Sequence, residues 1–197
     1  MENFKKWSVK DVITLILMTV LLIVIQLGIN MVCMINDFAS MVLSVGITML
    51  LCGPVYFLMV NRVRKRFVSL VYMTLLGIVF LIMGNWFLLP WFILVGIIAE
   101  VILWKGVTAN RLTAAWTVSS LLYNGVNLLP IWFFWDTYYN FAIDSGMKQS
   151  YIDAYVRYYT TAGWVIFIVL FTMICGFIGS LIGRKLIQKH FKKAGVL

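Results

Sequence analysis

Between two long apolar runs the chain carries Asn61-Arg62-Val63-Arg64-Lys65-Arg66, four cations within five residues. A charged side chain at the middle of a bilayer costs about 2.5–3.5 kcal/mol on insertion scales. Four such charges do not sit in hydrocarbon, so this stretch is expected to be a loop between two spans. Short Lys/Arg-rich loops stay on the cytoplasmic side. With that loop fixed, every other segment is counted outward from it.

The composition agrees. The chain is 63% hydrophobic and 12% charged, with a mean hydropathy of +0.99, whereas soluble domains carry about 25% charge. Its 197 residues leave room for a single membrane domain over 1–197 and no separate soluble one. The net charge of +9 raises the question of nucleic acid. The cations instead cluster at the ends of apolar runs and form no continuous basic face, so no nucleic-acid partner is expected. Cys33, Cys52 and Cys175 fall in three different apolar segments. They read as small packing residues, not as disulfide halves or metal ligands.

Taken in order, Val12–Met34 is the first apolar run, at about 23 residues against the roughly 20 a helix needs to cross. It is too long for a cleaved signal peptide and no small-x-small site follows it. Gln26 and Asn30 lie four apart on one face near its outer end and are expected to face protein or a cavity. Met41–Val60 is the second span, with Pro54 inside it and a kink expected there. Phe67–Met83 is the third, and Gly84-Asn85-Trp86 with Pro90-Trp91 forms the next turn. Trp91–Trp104 is the fourth and shortest, with Glu100 in its inner half. Glu100 reads either as a proton or ion relay or as an interfacial acid near Lys105 or Arg111. Leu112–Phe134 is the fifth, holding Asn124, Asn127 and Pro130. Trp135–Tyr159 is a long, tyrosine-rich connection, and Thr160–Gly183 is the sixth span, followed by a basic tail.

The charge distribution supports that order. Fourteen of the sixteen Lys and Arg residues fall on the inner side, and only Lys148 and Arg157 fall outside. The expected fold is all-α, an integral membrane bundle of six transmembrane helices with both termini cytoplasmic.

Much chemistry is missing from the pattern. His190 is the only histidine, so no Ser/His/Asp or Cys/His constellation exists. No cluster has metal-ligand spacing, and no Gly-x-x-x-x-Gly-Lys-Ser/Thr loop holds phosphates. No enzyme activity, cofactor or metal is expected, and binding suits the chain better than catalysis. Gly176, Gly179, Ser180 and Gly183 form small-x-x-x-small pairs on the last helix. They are candidates for docking another subunit, the alternative being packing within the chain. The candidate substrate-binding residues are Asn30, Asn85, Trp86, Asn127, Trp132 and Asp136, in the outer half under Trp135–Tyr159. An asparagine near the hydrocarbon edge is costly unless its amide is paired. The candidate asparagines come from different helices and point to a shared polar cavity, with the long connection as a lid. The alternative is that they bond to carbonyls freed near Pro54 and Pro130.

Several stretches also resemble one family. They are Pro54-x-Tyr56-Phe57-Leu58 leading to Arg62-Val63-x-x-Arg66, then Gly84-x-Trp86, Ala99-Glu100, Leu129-Pro130-x-Trp132 and Asp136. The ending Gly183-Arg184-Lys185-Leu186-x-x-Lys189-His190-Phe191-x-x-Ala194-Gly195 belongs with them. In order and spacing they resemble the Trep_Strep (MptD-like) family of bacterial integral membrane proteins, over nearly the whole chain. That family is similar to the substrate-binding S components of energy-coupling factor (ECF) transporters. The resemblance implies a subunit of the bacterial plasma membrane that captures a vitamin or other micronutrient from outside. It also implies two kinds of partner, a transmembrane coupling subunit and two ATPase subunits. The chain departs from many S components in one respect: those carry Ala-x-x-x-Ala near the first helix for docking, and Val9–Leu22 contains no alanine. A membrane enzyme or processing factor using carboxylates, and a stand-alone carrier driven by Glu100, are the competing readings.

Overall fold

The computed structural model describes residues 6–191, and the side chains through Lys189. Lys5, Lys192, Lys193 and the Ala194-Gly195 ending, among the residues of the basic start and tail, lie outside the described residues, as does the side chain of His190. Every regular element among the described residues is helical. In order they are α1 Val9–Cys33, α2 Ser44–Val63, α3 Val68–Ile82, α4 Leu88–Leu103, α5 Ala109–Tyr123, α6 Gly125–Phe133, α7 Trp135–Asp144, α8 Gln149–Thr160 and α9 Ala162–Leu186. A π-helical turn, Ala39–Leu43, leads into α2, and another, Ile187–Phe191, extends α9.

Three stretches are long and apolar enough to cross a membrane, Val9–Cys33, Ala39–Val63 and Ala162–Lys189. The apolar helices α3 and α4 are shorter, at 15 and 16 residues. At 1.5 Å per residue each is about 23 Å long, below the roughly 30 Å of a typical hydrocarbon core. Lipid-facing surface shows as outward apolar stripes on the long helices. On α1 Ile13, Leu17, Val20 and Val24 are exposed, and on α9 Ile166, Leu170, Ile174 and Phe177. The polar Thr19 and Gln26 of α1 and Thr172 of α9 are buried instead, the inverse of a soluble helix.

The expected unbroken fifth span, Leu112–Phe134, is corrected to two helices that part at Asn124. The cause is competition for backbone carbonyls. The Asn124 side-chain amide donates to the Leu121 carbonyl at 3.0 Å, and the Trp91 indole donates to the Leu122 carbonyl at 3.0 Å. Gly125 gives Trp91 its room, since a Cβ there would lie 2.1 Å from the indole nitrogen. The connection Trp135–Tyr159 consists of α7, a short turn and most of α8.

Small residues set the helix contacts. Gly46 faces Phe171, Gly53 faces Gly179, and Gly183 faces Pro54 and Phe57, so α2 and α9 run parallel along one seam. Pro54 lies within α2 without ending it. Having no N–H, it leaves the Leu50 carbonyl one turn earlier without its usual helical donor. That carbonyl lies against Gly179, where an added Cβ would sit 2.4 Å from the oxygen. Gly176 faces Ser120 of α5. Gly176, Gly179, Ser180 and Gly183 thus pack within the chain, the alternative to docking another subunit. All four are buried, and the glycines are covered by α2 and α5 of the same chain.

Polar contacts gather the helix ends carrying the cations. Lys65, after α2, lies 3.1 Å from Asp11 in the first turn of α1. Arg184, near the end of α9, donates to Asn110 at the start of α5 at 2.9 Å. Arg66 lies over the Trp104 ring at 4.8 Å. These contacts define a basic end of the bundle, with the α3–α4 turn and α6–α8 at the other.

Candidate functional site at the end opposite the cations

A cleft of about 240 Å³ opens between α1 and α3 in the half of the bundle away from the cations. Its walls are mostly apolar, with Ile23, Leu27, Met31 and Met34 from α1 and its end facing Leu76, Val79, Phe80 and Met83. Gln26, Asn30 and Tyr123 are its polar lining. Gln26 is 3% exposed. Its amide nitrogen donates to the Tyr72 hydroxyl at 2.8 Å, and its amide oxygen accepts the Tyr123 hydroxyl at 3.3 Å. One amide thus joins α1, α3 and α5 where an unpaired one would cost several kcal/mol. Asn30, one turn further along α1 and half-buried, accepts the Met34 N–H through its backbone carbonyl at 3.1 Å, and its side-chain amide has no partner among the described residues. The result is an apolar cleft with fixed phenol and amide groups at its base and an adaptable amide nearer the end of α1. Sites of this kind hold a largely apolar small molecule and orient it through a few polar atoms.

A second constellation lies under α8. Asn127 of α6 donates to the Tyr159 hydroxyl at 2.8 Å, and Tyr159 donates onward to the Met41 carbonyl at 2.5 Å. The Tyr155 hydroxyl donates to the Asn127 carbonyl, and the Trp132 indole donates to the Tyr159 carbonyl at 2.9 Å. Tyr138 of α7 stacks on Tyr155 with ring centroids 4.8 Å apart. Burial, reinforced by Tyr151, pushes the Tyr138 phenol up to about 12. Burial also drives Tyr155 and Tyr159 well above the ordinary tyrosine range. These hydroxyls are neutral donors and acceptors that clamp α8 onto α6 and the turn before α2.

The six candidate residues therefore fall in separate places. Asn30 lines the cleft. Asn127 and Trp132 belong to the tyrosine clamp, where the Asn127 amide donates to Tyr159 and the Asn127 backbone carbonyl accepts from Tyr155. Asn85 is tied to the α3–α4 turn by a weak bond to the Met83 carbonyl at 3.5 Å. Trp86 packs edge-on against Phe134 at 5.4 Å, with 53% of its surface exposed. Asp136 is exposed in the first turn of α7, where the helix dipole favours an acid. Of the six, Asn30 lines the cleft beside α1, and Asn85, Trp86, Asn127, Trp132 and Asp136 lie outside its lining. Tyr72 and Tyr123 escaped the sequence reading. The available signal was a phenol inside a hydrophobic run, which needs a hydrogen-bond partner.

Glu100, the acid of the fourth span, is fully occupied at the basic end. Its carboxylate accepts the backbone N–H groups of Phe67, Ser69 and Leu70 at 3.0, 2.8 and 3.4 Å. It caps α3, whose own first residues supply no side-chain cap. No group of three or more His, Cys, Asp or Glu residues among the described ones is placed to hold a metal ion.

A helical bundle with long apolar spans, an outward apolar belt and polar groups turned inward is the build of an integral membrane protein. The chain belongs to the family described as "hypothetical bacterial integral membrane protein (Trep_Strep)", whose model matches residues 9–193. No curated protein and no solved structure matches it.

Proposed function

We propose that this membrane protein is the substrate-binding S component of an energy-coupling factor importer in the bacterial plasma membrane. It captures a small, vitamin-like solute at the end of the bundle away from the cations, which faces outward. A coupling subunit and two ATPase subunits then drive uptake, since the chain itself has no phosphate-binding loop. In this reading α3, α4 and α5 cross as short spans beside α1, α2 and α9. Six spans put both termini in the cytoplasm, and the placement of the cations supports that orientation.

The observation that carries the reading is the cleft beside α1, apolar in its walls and polar at Gln26, Asn30 and Tyr123. Its volume and lining suit a compact, mostly apolar ligand with one polar edge. Capture without chemistry also fits the state of Glu100. A relay carboxylate must exchange its proton, and this one is bound to three backbone N–H groups. That disfavours a carrier driven by Glu100.

Mass spectrometry of small molecules that co-purify with the protein tests the proposal. One compound should be enriched and rebind in calorimetry, and Asn30→Ala should weaken it about tenfold, the equivalent of about 1.4 kcal/mol. Protein that carries no compound, together with genome neighbours lacking a coupling subunit and an ATPase, would remove the basis for this assignment.

A further inference from the structure

The basic end holds a second cavity, of about 190 Å³, between the end of α2, the start of α5 and the end of α9. Its lining includes Asn61, Arg64, Ala109, Arg184 and Gln188. We propose that this cavity binds a phosphate group, of a phospholipid headgroup or of a free phosphate.

Charge is the first argument. Two guanidinium groups line the cavity and no carboxylate does. Among the described residues the acids at this end are Asp11 and Glu100. Asp11 lies against Lys65, and Glu100 caps α3. Among the described residues, none of the acids lines the cavity to balance its positive charge.

Geometry is the second. Arg184 is held by its bond to Asn110 at 2.9 Å, which uses one of the five N–H donors of its planar fork. The remaining donors suit a phosphate, which arginine binds in bidentate fashion. Helix α5 begins at the same cavity with Ala109, after the Thr108 cap. Its positive dipole end adds to the field of the arginines.

Backbone conformation is the third. Arg64 closes α2 in the left-handed region, at φ 48° and ψ 41°. Glycine or asparagine fills such a position at lower conformational cost, so an arginine here accords with a task for its side chain. The cavity also lies where the apolar bodies of α2 and α9 end, the depth at which headgroup phosphates meet basic side chains.

The test uses the full chain in neutral detergent, titrated with phosphatidylglycerol, phosphatidylcholine or inorganic phosphate and read by native mass spectrometry. Phosphatidylglycerol should bind at least tenfold more tightly than phosphatidylcholine. Arg64→Gln combined with Arg184→Gln should weaken it about tenfold, the scale of lost charge-assisted hydrogen bonds. Arg64→Gln alone, at an exposed turn, gives a smaller loss in the same direction and covers the case in which the double variant does not fold. Arg62→Gln, on the same basic segment but outside the cavity, should change affinity less than about threefold. Loss of bound lipid on adding inorganic phosphate assigns the site to a soluble phosphate, and retention assigns it to the headgroup. Equal binding of both lipids without phosphate binding, or an equal loss in Arg62→Gln, overturns the proposal in favour of diffuse surface charge.

Discussion

The carboxylate of Glu100, near the end of α4, accepts the backbone N–H of Ser69, at the start of α3, at 2.8 Å. The contact spans 31 residues of sequence and joins an acid to the unpaired donors of a helix start. It explains how an acid with no ion-pair partner among the described residues is tolerated in an apolar helix. The local sequence of α3 gave no hint of it, because Phe67, the residue before α3, carries no capping group.

Glu100→Ala should lower stability by about 1–3 kcal/mol, the cost of leaving partly buried donors unpaired. For a chain of this size that is a fall of roughly 2–4 °C in melting temperature per kcal/mol. Glu100→Gln should cost less, because the amide oxygen still accepts. Thermal unfolding in detergent measures both. A normal melting curve for Glu100→Ala would show that the cap does no work and would reopen the relay reading.

Gly179→Val should prevent accumulation of folded protein. The new Cβ would stand 2.4 Å from the Leu50 carbonyl oxygen, a backbone atom that cannot move aside as a flexible side chain does. Gly163→Ala is the matched control, since nothing lies within 4 Å of its Cβ position. Monodisperse yield on size-exclusion chromatography reads the difference. Equal yields would mean that α2 and α9 separate more easily than their packing implies.

The tyrosine clamp sets a pH limit on α8. Burial holds the Tyr138 phenol up at about 12, and Tyr155 and Tyr159 are raised further. In the unfolded chain these phenols ionise near 10. Above that pH the unfolded state binds fewer protons than the folded one, so stability falls as pH rises. No such loss occurs below about pH 9. Melting curves across pH 9–11 should therefore show a progressive decline, smaller in Tyr138→Phe combined with Tyr155→Phe. A decline of the same size in that variant would assign the effect to other groups.

Orientation follows from the charge asymmetry and is tested by labelling. Cys33, Cys52 and Cys175 are buried and free, so they give a low background. In intact cells a cysteine introduced at Ser145, after α7, should react with a membrane-impermeant maleimide, and one at Lys185, at the end of α9, should not. The opposite pattern would invert the bundle and move the cleft to the cytoplasmic face.

The sequence by itself determined the solvent. A run such as Val12–Met34, with a cation cluster at Arg62–Arg66, forces apolar helices with charged ends, because hydrocarbon leaves no other place for those residues. It also marked Gln26 and Asn30 as facing inward, because their spacing of four puts both on one helix face. Only the tertiary structure decided which polar groups meet. Asn127 reads either as a ligand-binding amide or as one paired within the fold, and Tyr159, 32 residues on, accepts from it. The glycines of α9 read either as a docking stripe or as internal packing until Gly179 is seen against Leu50 of α2 and Gly176 against Ser120 of α5. Tyr72 and Tyr123 join Gln26 across 46 and 97 residues of chain. Spacing along one helix reports its face, because the helix repeat is local. The partner across that face depends on how distant helices pack, and no local pattern encodes it.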